Sequence, residues 1–257
     1  MELELLNITQ YLIVCPLVML AGFVDAIAGG GGLISLPAYM IAGVPVHSAI
    51  GTNKLSSAMG TTLTTVRFAR NGFIELKQAV CCAVFALAGS SLGANIALII
   101  DDHIFKIIML FLLPATAFYV TKSRNLGETD RGYTHTKKIL ISMPIAFVIG
   151  IYDGFYGPGT GTFLILLLTG VASMSLQSAA GITKAINLAT NMAALTVFIF
   201  NGKVEFQLGL IAGLFGIAGN YLGSKAFINK GNKFVRPLMI VVLSIFFIKV
   251  ILEVINY

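Results

Sequence analysis

The chain states one pattern twice, about 130 positions apart, and both copies are strongly apolar. Asn71-Gly72 with Glu75 returns as Asn201-Gly202 with Glu205. Ala88-Gly89 with Leu92-Gly93 returns as Ala218-Gly219 with Leu222-Gly223. Ser48, Ala49, Gly51 and Lys54 return as Ser178, Ala179, Gly181 and Lys184. A looser match, offset by 128, pairs Gly22, Asp25, Gly29 and Gly31 with Gly150, Asp153, Gly157 and Gly159. Two related hydrophobic halves in one chain are characteristic of secondary transporters, whose binding site lies where the halves meet.

Composition names the solvent. The chain is 57% hydrophobic and 11% charged, where a soluble domain carries roughly 25% charged residues. It has too little polar surface to cover a soluble fold, so a bilayer is expected around it. The net charge of +6 does not argue for nucleic acid, because the basic residues fall in short loops between apolar runs, the pattern of membrane proteins. No cleavable signal peptide is expected, since Glu2 and Glu4 stand where a basic region would be. Cys15, Cys81 and Cys82 lie inside apolar runs without CxxC spacing, which indicates neither a zinc site nor a disulfide framework. His47, His103 and His135 do not cluster. No metal, cofactor or catalytic constellation is expected.

The pattern predicts an all-α polytopic membrane protein forming a single transmembrane unit. Apolar segments fall at 8–24, 33–43, 48–68, 78–100 and 104–121 in a first repeat (about 8–121), and at 139–152, 161–172, 178–200, 206–228 and 234–255 in a second (about 139–255). A polar loop, 122–138, separates them. The second segment of each repeat is too short to cross about 30 Å of hydrocarbon upright. It is a half-helix or one arm of a re-entrant hairpin. Each follows a glycine-rich break, Ala28–Gly32 or Gly157–Gly161. Irregular backbone at such depth must be buried in protein or line a wet cavity.

Lys and Arg place the loops. Lys122, Arg124, Arg131, Lys137 and Lys138 make the central loop cytoplasmic, and Arg67, Arg70, Lys77, Lys225, Lys230, Lys233 and Arg236 put two further loops beside it. These share a side only if each half crosses an odd number of times, by five crossings or by three plus a re-entrant pair. An odd count inverts the second half relative to the first. A parallel arrangement with four crossings per half is the rival.

Lys54 and Lys184 lie inside apolar segments at matched positions. Lysine at that depth is costly unless it faces a cavity or a partner. The pair reads as a cationic site for an anion, or as structural lysines that snorkel or meet a helix C-terminus. Asp25 and Asp153 read as proton carriers or as local turn-forming residues, and an Asp–Lys salt bridge would reconcile the lysine and aspartate readings. Gly29, Gly31, Gly157 and Gly159 let backbone donors approach an anion at a helix start. Thr52, Asn53, Ser56 and Ser57 of the third segment match Thr183, Asn187, Thr190 and Asn191 of the eighth, polar residues that line a pathway or hold helices together. Gly89, Gly93, Gly219 and Gly223 form G-x-x-x-G pairs suited to close helix packing.

These residues together resemble the TauE/SafE family of sulfite exporters and related permeases. The resemblance rests on Gly22-Phe23-Val24-Asp25 leading into Ala28–Gly32 and Leu36-Pro37, then Gly51-Thr52-Asn53-Lys54 and Asn71-Gly72. In the second half it rests on Asp153-Gly154-Phe155-Tyr156-Gly157-Pro158-Gly159-Thr160-Gly161, Thr183-Lys184, Asn187 and Asn191. It implies a multi-pass permease of the inner membrane that moves small anions, often sulfur oxyanions or organosulfonates. The family is often described as two four-helix halves, which competes with the odd crossing count. The expected activity is secondary transport of a small anion by alternating access, with a channel or a non-transporting scaffold as the alternative and an enzyme poorly supported. The expected partners are the anion and the lipid bilayer, with a homo-oligomer left open.

Overall fold

The computed structural model describes residues 8–100 and 132–230. Within them the chain forms eight α-helices and no strand: α1 Ile8–Ala28, α2 Gly32–Ile41, α3 Val46–Arg70, α4 Leu76–Ile99, α5 His135–Phe155, α6 Thr160–Gly170, α7 Leu176–Phe200 and α8 Phe206–Lys230. The first four match the last four in order and length. The segments expected at 104–121 and 234–255 lie outside the described residues, as does most of the central loop.

Five helices are long and apolar enough to cross a bilayer: α1, α4, α5, α7 and α8. The helix α3 is as long as α7, 25 residues, but threonine, serine, asparagine and lysine interrupt its apolar run. The short helices α2 and α6 have 10 and 11 residues, about 15–17 Å of rise. They are hairpin arms. The Gln10 amide near the start of α1 donates to the Ala42 carbonyl just past α2 at 3.0 Å, so α1–α2 returns to the end from which it set out. In the second half Met174, just past α6, packs against Ser142 near the start of α5, and both meet Gln78 of α4.

The long helices pack mainly across the halves rather than within them. A side chain at Gly219 of α8 would strike the Met19 carbonyl of α1, and one at Gly223 the Phe23 carbonyl. The same holds for Gly89 of α4 against Phe147 of α5, and for Gly93 against Ile151. Only glycine lets these backbones approach so closely, which assigns the G-x-x-x-G pairs to packing. Both contacts keep register as residue numbers rise, so α1 runs with α8 and α4 with α5. Leu55 against Gly209 and Met59 against Gly213, followed by Thr64 on Asn220, set α3 parallel to α8. The order reverses between α3 and α7. Gly51 near the start of α3 meets Phe198 and Lys203 at the end of α7, while the Thr65 hydroxyl donates to the Lys184 carbonyl at 3.2 Å.

The two Asn-Gly turns close the arrangement. Gly181 of α7 abuts the Phe73 carbonyl just as Gly51 of α3 abuts that of Lys203. Each site helix thus begins against the turn of the other half. Gly72 and Gly202 take φ of +73° and +65°, the left-handed conformation that glycine adopts without a steric penalty.

Candidate functional site

The two glycine breaks meet at the centre of the described structure. Gly29, at φ +74°, leaves no room for a side chain against the backbone of Gly161. The Thr162 amide donates to the Gly29 carbonyl at 3.2 Å, and its hydroxyl to the Ala28 carbonyl at 2.8 Å. Gly32 packs on Pro158. The crossing breaks set the first turns of α2 and α6 beside one cavity. The first amides of a helix lack intrahelical acceptors, and that end carries the positive pole of the helix dipole.

The cavity encloses about 50 Å³, room for a few waters or one small anion. Its wall includes Asp25, Asn53, Lys54, Asp153, Asn187 and Asn191, with Gly29, Gly31, Gly157 and Gly161 from the breaks. The Asn53 and Asn187 side-chain oxygens are buried without a hydrogen-bond partner. Turning either amide would present its NH₂ instead, since oxygen and nitrogen occupy equivalent ends of the group.

Two ion pairs bind the halves crosswise. The Lys54 ammonium of α3 donates to Asp153 Oδ2 of α5 at 2.7 Å. The Lys184 ammonium of α7 donates to Asp25 Oδ2 of α1, also at 2.7 Å, and to the Asp25 carbonyl. Lys54 and Lys184 are 2% and 1% exposed. A lysine buried this deeply needs a partner, and each finds it in the other repeat. The bond to the Asp25 carbonyl, close to the end of α1, also gives Lys184 the helix C-terminal role considered for it from sequence. In the described conformation the aspartates neutralise the lysines, so the site holds no net charge.

The remaining polar residues divide. Asn187 and Asn191 face the cavity, whereas Thr183, Thr190 and Gly159 are absent from its wall. Thr190 instead bonds the Asn187 carbonyl and receives the Ser90 hydroxyl on its own carbonyl. Lys184 is also absent from the wall, screened by Asp25. Three polar wall residues escaped the sequence reading: Ser35, Thr61 and Asn220. Thr61 was accessible through the repeat, standing 130 positions before Asn191. Asn220 was hidden beside Gly219, in a motif read as packing only. It accepts from the Thr64 hydroxyl at 2.8 Å and donates to the Gly216 carbonyl at 3.0 Å.

Comparison with known proteins agrees with this architecture. The family model for sulfite exporter TauE/SafE matches residues 14–250. A probable membrane transporter protein of Sinorhizobium sp, ORF9, is 38% identical over 223 residues, covering 87% of this chain and 85% of that protein. One from Haemophilus influenzae is 34% identical over 221 residues, 86% of each. YfcA of Escherichia coli K12, with the same description, is 31% identical over 239 residues, 91% of this chain and 87% of that protein. No solved structure matches the chain. With apolar helices long enough to span a bilayer and relatives that carry the transporter description over most of their length, the chain is a multi-pass membrane transporter protein of the sulfite exporter TauE/SafE family.

Proposed function

We propose that this protein is a secondary transporter of a small anion, sulfite or an organosulfonate, in the inner membrane, and that it works by alternating access between inverted repeats. The observation that carries the reading is the crosswise pairing of Lys54 with Asp153 and of Lys184 with Asp25 around a central cavity. Lysines buried at matched depth in both halves are expensive to keep without a charged ligand or counter-ion to serve. The glycine breaks add backbone donors, and Asn53, Asn187 and Asn191 add amides that can turn toward an oxyanion. Asp25 and Asp153 are the candidates to carry a coupling proton.

Inversion is supported by the opposite running of α3 and α7, and by basic residues gathered near one of the two Asn-Gly turns. Alternating access is supported by the placement of the site where the halves cross, since rocking one half against the other would then move the barrier from side to side.

The test is flux of sulfite and of sulfoacetate in proteoliposomes, with Lys54→Ala and Lys184→Ala alongside wild type. A transporter gives saturable flux that responds to a pH gradient, whereas a channel gives conductance without saturation. Wild-type flux in the double variant would remove the lysines from the mechanism.

A further inference from the structure

The two ion pairs are twins in sequence but not in surroundings. Lys54 borders the cavity and has one acceptor among the described residues, Asp153 Oδ2. Its ammonium lies 3.0 Å from where a side chain on Gly157 would begin, so a larger residue there would crowd it. Lys184 stands outside the cavity wall and is held twice, by the carboxylate and the carbonyl of Asp25.

The cavity is one-sided as well. It extends along α1 and α8, past Val18, Gly22 and Asn220. None of the equivalents Ala146, Gly150 and Ser90 lines the cavity: Ala146 and Ser90 are fully buried, and Ser90 bonds the Thr190 carbonyl. One half of a duplicated site is therefore open while the other is closed.

Resting on the anion-transport reading, we propose that the two lysines work in turn, one per conformation. Here Lys54 is the anion-binding cation. The incoming anion takes the place of Asp153 on Lys54, and Asp153 takes up one proton from a buffer acid in the solvent, whose conjugate base stays there. Lys184 stays locked on Asp25 and takes the anion only when the cavity opens along α4 and α5. Charge balances: a site of two cations and two carboxylates gains one monoanion and one proton. The charged groups around Asp153 are Lys54 from α3, Asp25 from α1 and Lys184 from α7. Tyr152 adjoins it on α5, and α2 contributes only Gly32 and Ser35 to the wall, neither of them titratable. The helices α4, α6 and α8 place no charged side chain on the cavity. Neutralising Asp25 would leave Lys184 on a backbone carbonyl, away from the cavity. Neutralising Asp153 would free Lys54 within it.

The experiment is calorimetric binding of methanesulfonate, isethionate, nitrate and chloride to the full-length protein in detergent between pH 5 and 9. These probes keep one charge throughout, so the anion's own titration does not intrude. Wild type should take up one proton per anion, read from buffers of different ionisation enthalpy, and lose about tenfold in affinity per pH unit above the carboxylate range. Asp153→Asn should bind with no proton uptake and a flat profile. While the cavity stays open along α1 and α8, Asp25→Asn should keep the wild-type slope, and Lys54→Met should lose at least tenfold in affinity, keeping only what Lys184 binds in the other conformation. Binding by wild type without proton uptake overturns the proposal while leaving the anion reading intact, and needs no variant to fold. A flat profile in Asp25→Asn, or a wild-type slope in Asp153→Asn, also overturns it. Failure of every probe to bind wild type sinks both readings.

Discussion

Replacing Lys54 by methionine removes the charge and keeps most of the stem, which isolates the electrostatics of the buried pair. The Lys54 and Asp153 side chains are 3% and 6% exposed and meet at 2.7 Å, so little water is at hand to replace the lost ammonium. Breaking such a pair from one side costs about 3–5 kcal/mol, because the partner is left as a bare buried charge. The carboxylate has one escape, which is to take a proton. Holding an ordinary carboxyl protonated costs about 1.4 kcal/mol per pH unit above about 3.9. The loss is therefore capped near 4 kcal/mol at pH 7 and near 1.5 kcal/mol at pH 5. In the unfolded chain Asp153 ionises freely, so the variant falls further behind wild type as pH rises from the carboxylate range and recovers as pH falls. Adding Asp153→Asn removes the stranded charge and should return stability to within about 1 kcal/mol of wild type, since neutral replacements of buried pairs are often tolerated. Unfolding by SDS titration in mixed micelles, at pH 5 and pH 7, measures both effects. An equal loss at the two pH values, or a double variant no more stable than Lys54→Met, would refute the picture of a desolvated pair.

Gly219→Ala and Gly89→Ala should each cost about 1–3 kcal/mol by forcing α8 from α1 or α4 from α5, whereas Gly72→Ala, with open space around it, should cost only about 1 kcal/mol of backbone strain; unfolding midpoints separate the two. Gly157→Ala should abolish sulfite flux in proteoliposomes, because the position combines φ of +100° with an added carbon 3.0 Å from the Lys54 ammonium. Single cysteines at Gly72 and Gly202 should react with an impermeant thiol reagent from opposite sides of the membrane; labelling from one side alone would restore a parallel arrangement. Tyr39→Phe should cost about 0.5–1.5 kcal/mol by removing the phenol's bond to Ser56, whose hydroxyl keeps its bond to the Asn53 carbonyl.

Much of the fold was legible because its determinants are local and periodic. The lengths of the apolar runs separated the hairpin arms α2 and α6 from the longer helices. The breaks at Gly29 and Gly157 announced themselves by composition. The helix α3 was read as an apolar segment at 48–68 even though Thr52, Asn53, Lys54 and Ser56 interrupt its run. What could not be read was which half each helix leans on. Packing α1 on α8 and α4 on α5 joins residues far apart in the chain, and no local spacing encodes that choice.

The same division runs through the candidate site. Sequence alone marked Lys54, Lys184, Asp25 and Asp153, because charge inside an apolar segment is costly and costly residues repeated at one offset are not accidents. It left open whether the lysines faced a cavity, a helix end or a carboxylate. Tertiary structure decided that each lysine takes the aspartate of the opposite repeat, and that Lys54 borders the cavity while Lys184 does not. It also brought in Asn220 from a motif built for packing. The physical reason is one of range. Solvent preference and backbone geometry act on neighbours in sequence, whereas the pairing of buried charges depends on which helices touch.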